Sequence, residues 1–141
     1  MATQPASAPT IVTSLDAALA AIAARHHLTT GDASCVSMRH AAALYRLRVA
    51  DSVQFLQSCA APGPAPTHVV VKVFRALGER QGAAEVWAAA CIERMRATTD
   101  CSMVARYYFT HKASSAPPLT AASSLTYIIM EWRVERRAVL N

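Results

Sequence analysis

Three prolines and a glycine crowd into the six residues Ala61-Pro62-Gly63-Pro64-Ala65-Pro66. Proline lacks the backbone donor that a helix interior or a central strand requires, so no regular element crosses this stretch. The chain must fold as one ordered segment before the break and another after it. Around the break alanine dominates a hydrophobic content of 53%, while aromatics make up only 6%. Alanine is the best helix former, and a core this poor in bulky rings closes through near helix contacts. These features predict an all-α protein.

The pass along the chain follows that expectation. Residues 1–13 are rich in Pro, Ser and Thr and read as an extended arm. Ser14 is a helix N-cap with Asp16 favourable in the first turn, and that helix runs to about His27, where Thr29-Thr30-Gly31-Asp32 breaks it. A second helix is expected from Ser34 or Ser37 to Cys59. Ala42, Tyr45, Val49, Val53 and Leu56 fall on one stripe of it, widened by Leu44 and Phe55, with Tyr45 inward and Arg46 at the margin. A third helix is expected over residues 67–80. Val69 to Val73 has strand propensity, but no second good strand offers itself, and Val70, Phe74 and Leu77 keep a helical step. Gln81-Gly82 reads as a turn. A helix over 83–98 follows, with Val86, Trp87, Ala90 and Cys91 inward, and continues through a kink at Thr99-Asp100 into 102–111. Residues 113–118 read as a linker. A last amphipathic helix over 119–139 presents Leu125, Ile128, Ile129 and Trp132 ahead of Arg133, Arg136 and Arg137. The division is thus an arm (1–13), a helical domain (14–112) and a linker with its helix (113–141).

Fourteen Lys and Arg against nine Asp and Glu give a net charge of +5, which favours an acidic partner: nucleic acid, an anionic membrane surface or an acidic protein. Cys35, Cys59, Cys91 and Cys101 have no metal-ligand spacing and read as reduced thiols, mostly in the core. The adjacent His26 and His27 diverge by about 100° on a helix and do not share a metal, so none is expected. No Gly-x-Ser-x-Gly elbow and no phosphate-binding glycine loop occurs, and carboxylates are isolated, so a non-catalytic protein is expected. The longest apolar run is too short to span a bilayer. The first residues make a poor secretory or mitochondrial leader. Arg106-Tyr107-Tyr108-Phe109 with His111-Lys112 is the one mixture of aromatics and cations suited to single-stranded nucleic acid, though such aromatics at helical spacing are more often core. Helical pairs near 36, 68 and 101 recur at a solenoid-like spacing, but their side-chain patterns do not match.

Ala43-Leu44-Tyr45-Arg46 with Phe55, followed by Val73-Phe74-Arg75-Ala76-Leu77, resembles the LYR-motif family over about residues 37–112. Met103-Val104-Ala105-Arg106-Tyr107-Tyr108-Phe109-Thr110-His111 and the prolines Pro117 and Pro118 are similar to the family's accessory subunit of mitochondrial respiratory complex I. The resemblance implies a three-helix antiparallel bundle, here with one extra helix at each end. It implies a non-catalytic subunit on the matrix side of the inner mitochondrial membrane, peripheral to it and contacting neighbouring subunits. That subunit would dock a mitochondrial acyl carrier protein, with no cofactor of its own and an acyl-phosphopantetheine carried by the partner. Tyr45, Arg46, Arg48, Lys72, Arg75 and Arg80 would bind the carrier, with Leu44, Val49, Val70 and Phe74 lining an acyl-chain slot. An assembly factor for iron–sulfur or other respiratory complexes is the alternative within the family. An RNA-binding subunit of a mitochondrial ribosome is the alternative outside it, direct nucleic-acid contact not being expected of the main reading.

Overall fold

The computed structural model describes residues 14–75, 78–113 and 125–133. It overturns the all-α expectation. The element order is α1 (Leu15–His26), β1 (Leu28–Met38), β2 (Ala42–Val49), α2 (Ser52–Cys59), β3 (His68–Phe74), α3 (Glu79–Arg96), β4 (Tyr107–His111) and β5 (Tyr127–Glu131). The five strands form one antiparallel sheet in the order β1-β2-β3-β5-β4. The chain is an α/β protein and not a three-helix bundle.

Where helices do form, the expected signals make them. The Ser14 hydroxyl accepts a hydrogen bond from the Ala17 amide at 3.2 Å, and α1 ends at His27 in the left-handed region, φ 57°. Asp51 caps α2 by accepting from the Gln54 amide at 3.0 Å, and Ala60, φ 49°, turns the chain into the proline break. α2 therefore takes only the last part of the stretch expected as one long helix. The first part of that stretch lies in β1 and β2.

β2 shows why. Ala43, Tyr45, Leu47 and Val49 alternate with Leu44, Arg46 and Arg48, which is a period of two and puts the two sets on opposite faces of a sheet. Its register with β3 pairs Tyr45 with Val71 and Leu47 with Val69, so the β-branched run is a central strand with neighbours on both sides. Gln81-Gly82, expected as a turn, lies inside α3, and the helical continuation expected over 102–111 gives β4 instead. From the segment expected as a C-terminal helix, residues 127–131 form β5, which sits between β3 and β4. The arm over 1–13 and the arginines Arg136 and Arg137 lie outside the described residues.

One face of the sheet carries the larger core. Ala18, Leu19, Ile22 and Ala23 of α1 and Phe55 and Cys59 of α2 pack there on Leu47, Val69, Val71, Val73, Tyr127 and Ile129. On the other face α3 lies against β4 and β5, where Ala89 and Val86 meet Ala42, Phe74 and Ile128. A methyl group at Gly82 would sit 2.8 Å from Phe74 Cγ and 3.0 Å from Thr126 Cγ2, so glycine lets α3 approach the sheet closely. α3 makes most of its contacts with β4 and β5 and reaches β2 and β3 at Ala42, Phe74 and Lys72, so among the described residues the rest of that face on β1, β2 and β3 has no helix packed on it.

Candidate functional site

The uncovered half of the sheet gathers most of the cations singled out in the sequence. Adjacent-strand register pairs Leu44 with Lys72, Arg46 with Val70, and Arg48 with His68. By alternation all six project from the α3 side of the sheet. Val70 is buried, Leu44, Arg46, His68 and Lys72 are half-buried, and Arg48 is exposed. Trp132, just past the end of β5, receives the Arg46 guanidinium 5.5 Å from its ring centre, a cation–π contact that fixes a planar donor group in place.

Each cation has its own surroundings. Lys72 Nζ donates to Glu85 Oε1 of α3 at 2.6 Å and lies 5.2 Å from the Phe74 ring, so part of its charge is already neutralised at the helix margin. Arg48 stands 3.9 Å from Asp32 across the β1–β2 pair, with both side chains more than half exposed. Such an exposed pair contributes little and leaves Arg48 accessible. The carboxyl of Asp32 is held below the usual range first by a hydrogen bond from the Thr29 hydroxyl, then by Arg48 and His68. Arg75 and Arg80 are exposed, Arg75 at the end of β3 and Arg80 in the first turn of α3. Arg75 extends the basic surface toward Arg39 and His40 in the β1–β2 turn, because its amide donates to Ala41 O at 2.8 Å, whereas Arg80 belongs to α3.

Two of the predicted residues lie elsewhere. Tyr45 and Val49 are on the opposite face and pack against the α1–α2 core. Phe74 shares the face of Leu44 and Val70 but is buried beneath α3. Leu44 and Val70 thus form an apolar floor among the arginines, separated by the sheet from Val49. Sequence reasoning missed His68 and Trp132 as neighbours of Arg46. The alternation Leu44-Arg46-Arg48 was the available signal, since arginine at every second position marks a solvated strand face.

A second polar cluster lies in the core. His26 is completely buried on α1, with Nε2 2.7 Å from the Tyr127 hydroxyl and Nδ1 2.8 Å from Ser58 Oγ. The Ser58 hydroxyl donates to the Phe55 carbonyl at 2.7 Å, so His26 Nδ1–H donates to Ser58. Tyr127 then donates to Nε2 while accepting from Arg25 at 3.3 Å, and every donor in the chain has one acceptor. Burial first, then the neighbouring Arg25, His111 and His27, push His26 down to about 3, so the ring is neutral. Cys59 Sγ is 3.7 Å from the ring, and burial pushes its thiol up to about 11. With its proton committed to Phe55, Ser58 is not activated by this histidine, and the Cys59 thiol is protonated. The cluster is a satisfied polar core.

Between α2, α3 and the start of β4 lies a cleft of about 420 Å³ lined by Arg96, Arg106, Glu93, Tyr107 and Tyr108. Its charges are spent internally. Arg96 pairs with Glu93 at 3.0 Å and donates to the carbonyls of Cys101, Val104 and Ala105, while Arg106 reaches the Pro62 carbonyl and lies 5.0 Å from the Tyr108 ring. The Arg106–His111 run read as a nucleic-acid mixture is therefore an edge strand whose aromatics Tyr108 and Phe109 pack into the core. Among the described residues, no three His, Cys, Asp or Glu side chains converge as metal ligands. No family model, no curated protein and no solved structure matches this chain.

Proposed function

We propose that this chain is a binding module, without catalysis of its own, that takes an acidic protein on the open basic half of its sheet. The observation that carries this reading is the β2–β3 register, which sets Arg46 and Arg48 beside Leu44, Val70, His68 and Trp132 on a part of the face that no helix among the described residues packs on. Arginines around an apolar floor suit a partner whose carboxylates steer the encounter and whose apolar residues contribute affinity. An acyl-carrier-type protein belongs to that chemical class. The placement in complex I is not retained, because the strand at Leu44-Tyr45-Arg46 removes the helical frame on which it rested.

RNA is the rival occupant. Single-strand platforms interleave several free aromatics with cations, whereas here Trp132 is already stacked under Arg46. The test is titration of the full chain with an acyl carrier protein and, separately, with a single-stranded RNA oligonucleotide. The expected result is salt-sensitive binding of the acidic protein, weakened about tenfold or more when Arg46→Glu and Arg48→Glu are combined, since about 1.4 kcal/mol is a factor of ten. The circular dichroism spectrum should be unchanged in that variant. Tight RNA binding without binding of the acidic protein would overturn the proposal.

A further inference from the structure

The solvent side of α3 is the wrong kind of surface for a helix that meets only water. At about 100° per residue, Arg80, Trp87, Cys91, Arg94 and Met95 fall within one arc of about 120°, with alanines between them. A solvated helix face is normally polar and carries both signs of charge. Of the three acidic residues of α3, Glu85 is bonded to Lys72, Glu93 to Arg96 and the Tyr107 amide, and Glu79 is exposed in the first turn about 60° outside this arc. Trp87 is 69% exposed and Met95 54%, and Met103, just beyond the helix, is 91% exposed. These side chains project outward. Among the described residues, the Arg94 guanidinium donates to the Cys91 thiol at 3.2 Å, and neither Arg80 nor Arg94 makes an ion pair.

We infer that this face of α3 docks on an anionic lipid surface. Tryptophan places an amphipathic ring at headgroup level, flexible methionines enter the acyl boundary, and arginines meet lipid phosphates and carboxylates. A second copy of this chain is the poorer occupant, because pairing the same face would bring arginine against arginine in a protein of net charge +5. No helix among the described residues is long and apolar enough to cross a membrane, so the contact is one of lying on the surface. The surface is distinct from the open half of the sheet and does not depend on the acidic-protein reading.

The experiment uses the full chain carrying Trp132→Phe, so that Trp87 is the only tryptophan and reports by its own fluorescence. Vesicles are phosphatidylcholine alone or phosphatidylcholine with about 30% phosphatidylserine. The expected result is co-sedimentation and a blue shift of Trp87 with the anionic vesicles only, reversed at about 0.5 M salt. In the natural-tryptophan background, Trp87→Ala should weaken sedimentation about tenfold and Arg94→Glu about fivefold or more. Arg46→Glu with Arg48→Glu lowers the net charge from +5 to +1 and should still weaken lipid binding less than Arg94→Glu alone, which separates this surface from the sheet face. Absence of binding to anionic vesicles, equal binding to neutral ones, or a dimer in light scattering that Trp87→Ala abolishes would each overturn the inference.

Discussion

The hydroxyl of Tyr127 lies 2.7 Å from Nε2 of His26, joining β5 to α1 across 101 positions of sequence. The bond continues on one side to Arg25 and on the other through Ser58 to the Phe55 carbonyl, so one line of polar groups ties α1, α2 and the sheet together. Every buried side-chain polar atom among the described residues has a partner. Tyr127→Phe keeps the ring but leaves Nε2 of a fully buried histidine without a donor. An unsatisfied buried group costs about 1–3 kcal/mol. Urea unfolding should therefore show the midpoint lowered with the slope unchanged.

The same histidine makes the fold sensitive to acid. Its folded value, about 3, lies below the ordinary 6.5, so between these values the unfolded chain binds a proton that the folded chain refuses. Stability from the neutral ring is complete above the ordinary value and is lost as pH falls toward the folded one. The loss from this group approaches a size on the order of 4 kcal/mol at the acid end. His26→Gln removes the titration, so its unfolding free energy should fall less steeply than that of the natural chain between about pH 7 and pH 4. Parallel curves for the two proteins would contradict this account.

Gly82 gives a prediction of unusual sign. In an exposed helix, glycine to alanine stabilises by about 1 kcal/mol. In α3 the new methyl would meet Phe74 Cγ at 2.8 Å and Thr126 Cγ2 at 3.0 Å, and both neighbours are buried. Overpacking of this kind costs about 1–3 kcal/mol, which outweighs the propensity gain. Gly82→Ala should lower the thermal midpoint, whereas Ala84→Gly on the outer side should lower it only through propensity.

The contrast between Gly82 and the strands shows how much of this fold could be read in advance. Ser14 as a cap, the length of α1 and the break at Pro62–Pro66 were legible, because local hydrogen bonding and proline sterics decide them. The strands were not. Ala42, Tyr45 and Val49 satisfy a helical step while Ala43, Tyr45, Leu47 and Val49 satisfy a strand period, and an alanine-rich chain offers both. The helical stripe extended to Val53 and Leu56 only because it ran across the turn at Ala50-Asp51 into a true helix. The valine run shows no local partner because its partners, β2 and β5, depend on long-range register that local patterning does not reveal. The arginines of the candidate face were legible as residues; their grouping depended on that long-range register.

The four cysteines are free and differ in reach. Cys35 is exposed on the edge strand β1, while Cys59 is buried against His26 with its thiol pushed up to about 11. The thiolate is the reacting species, so Cys35 should react quickly with an alkylating agent and Cys59 only when the protein unfolds. Peptide mass spectrometry after timed alkylation distinguishes them. Rapid labelling of Cys59 in the folded chain would show that the α2–sheet contact opens readily.

The pairing of Arg46 with Trp132 separates shape from charge on the open face. Their contact at 5.5 Å sets the guanidinium over the indole ring, on the strand position paired with Val70. Arg46→Lys keeps the positive charge but gives up planar stacking and bidentate donation. If an acidic partner is recognised by fixed geometry, this substitution should weaken binding by about 1 kcal/mol, roughly fivefold, with most of the change in the dissociation rate. Trp132→Ala should produce a similar loss by freeing the arginine, and the double variant should lose little more, since both changes remove one coupled unit. Additive losses in the double variant, or full affinity in Arg46→Lys, would mean that the face attracts its partner by charge alone.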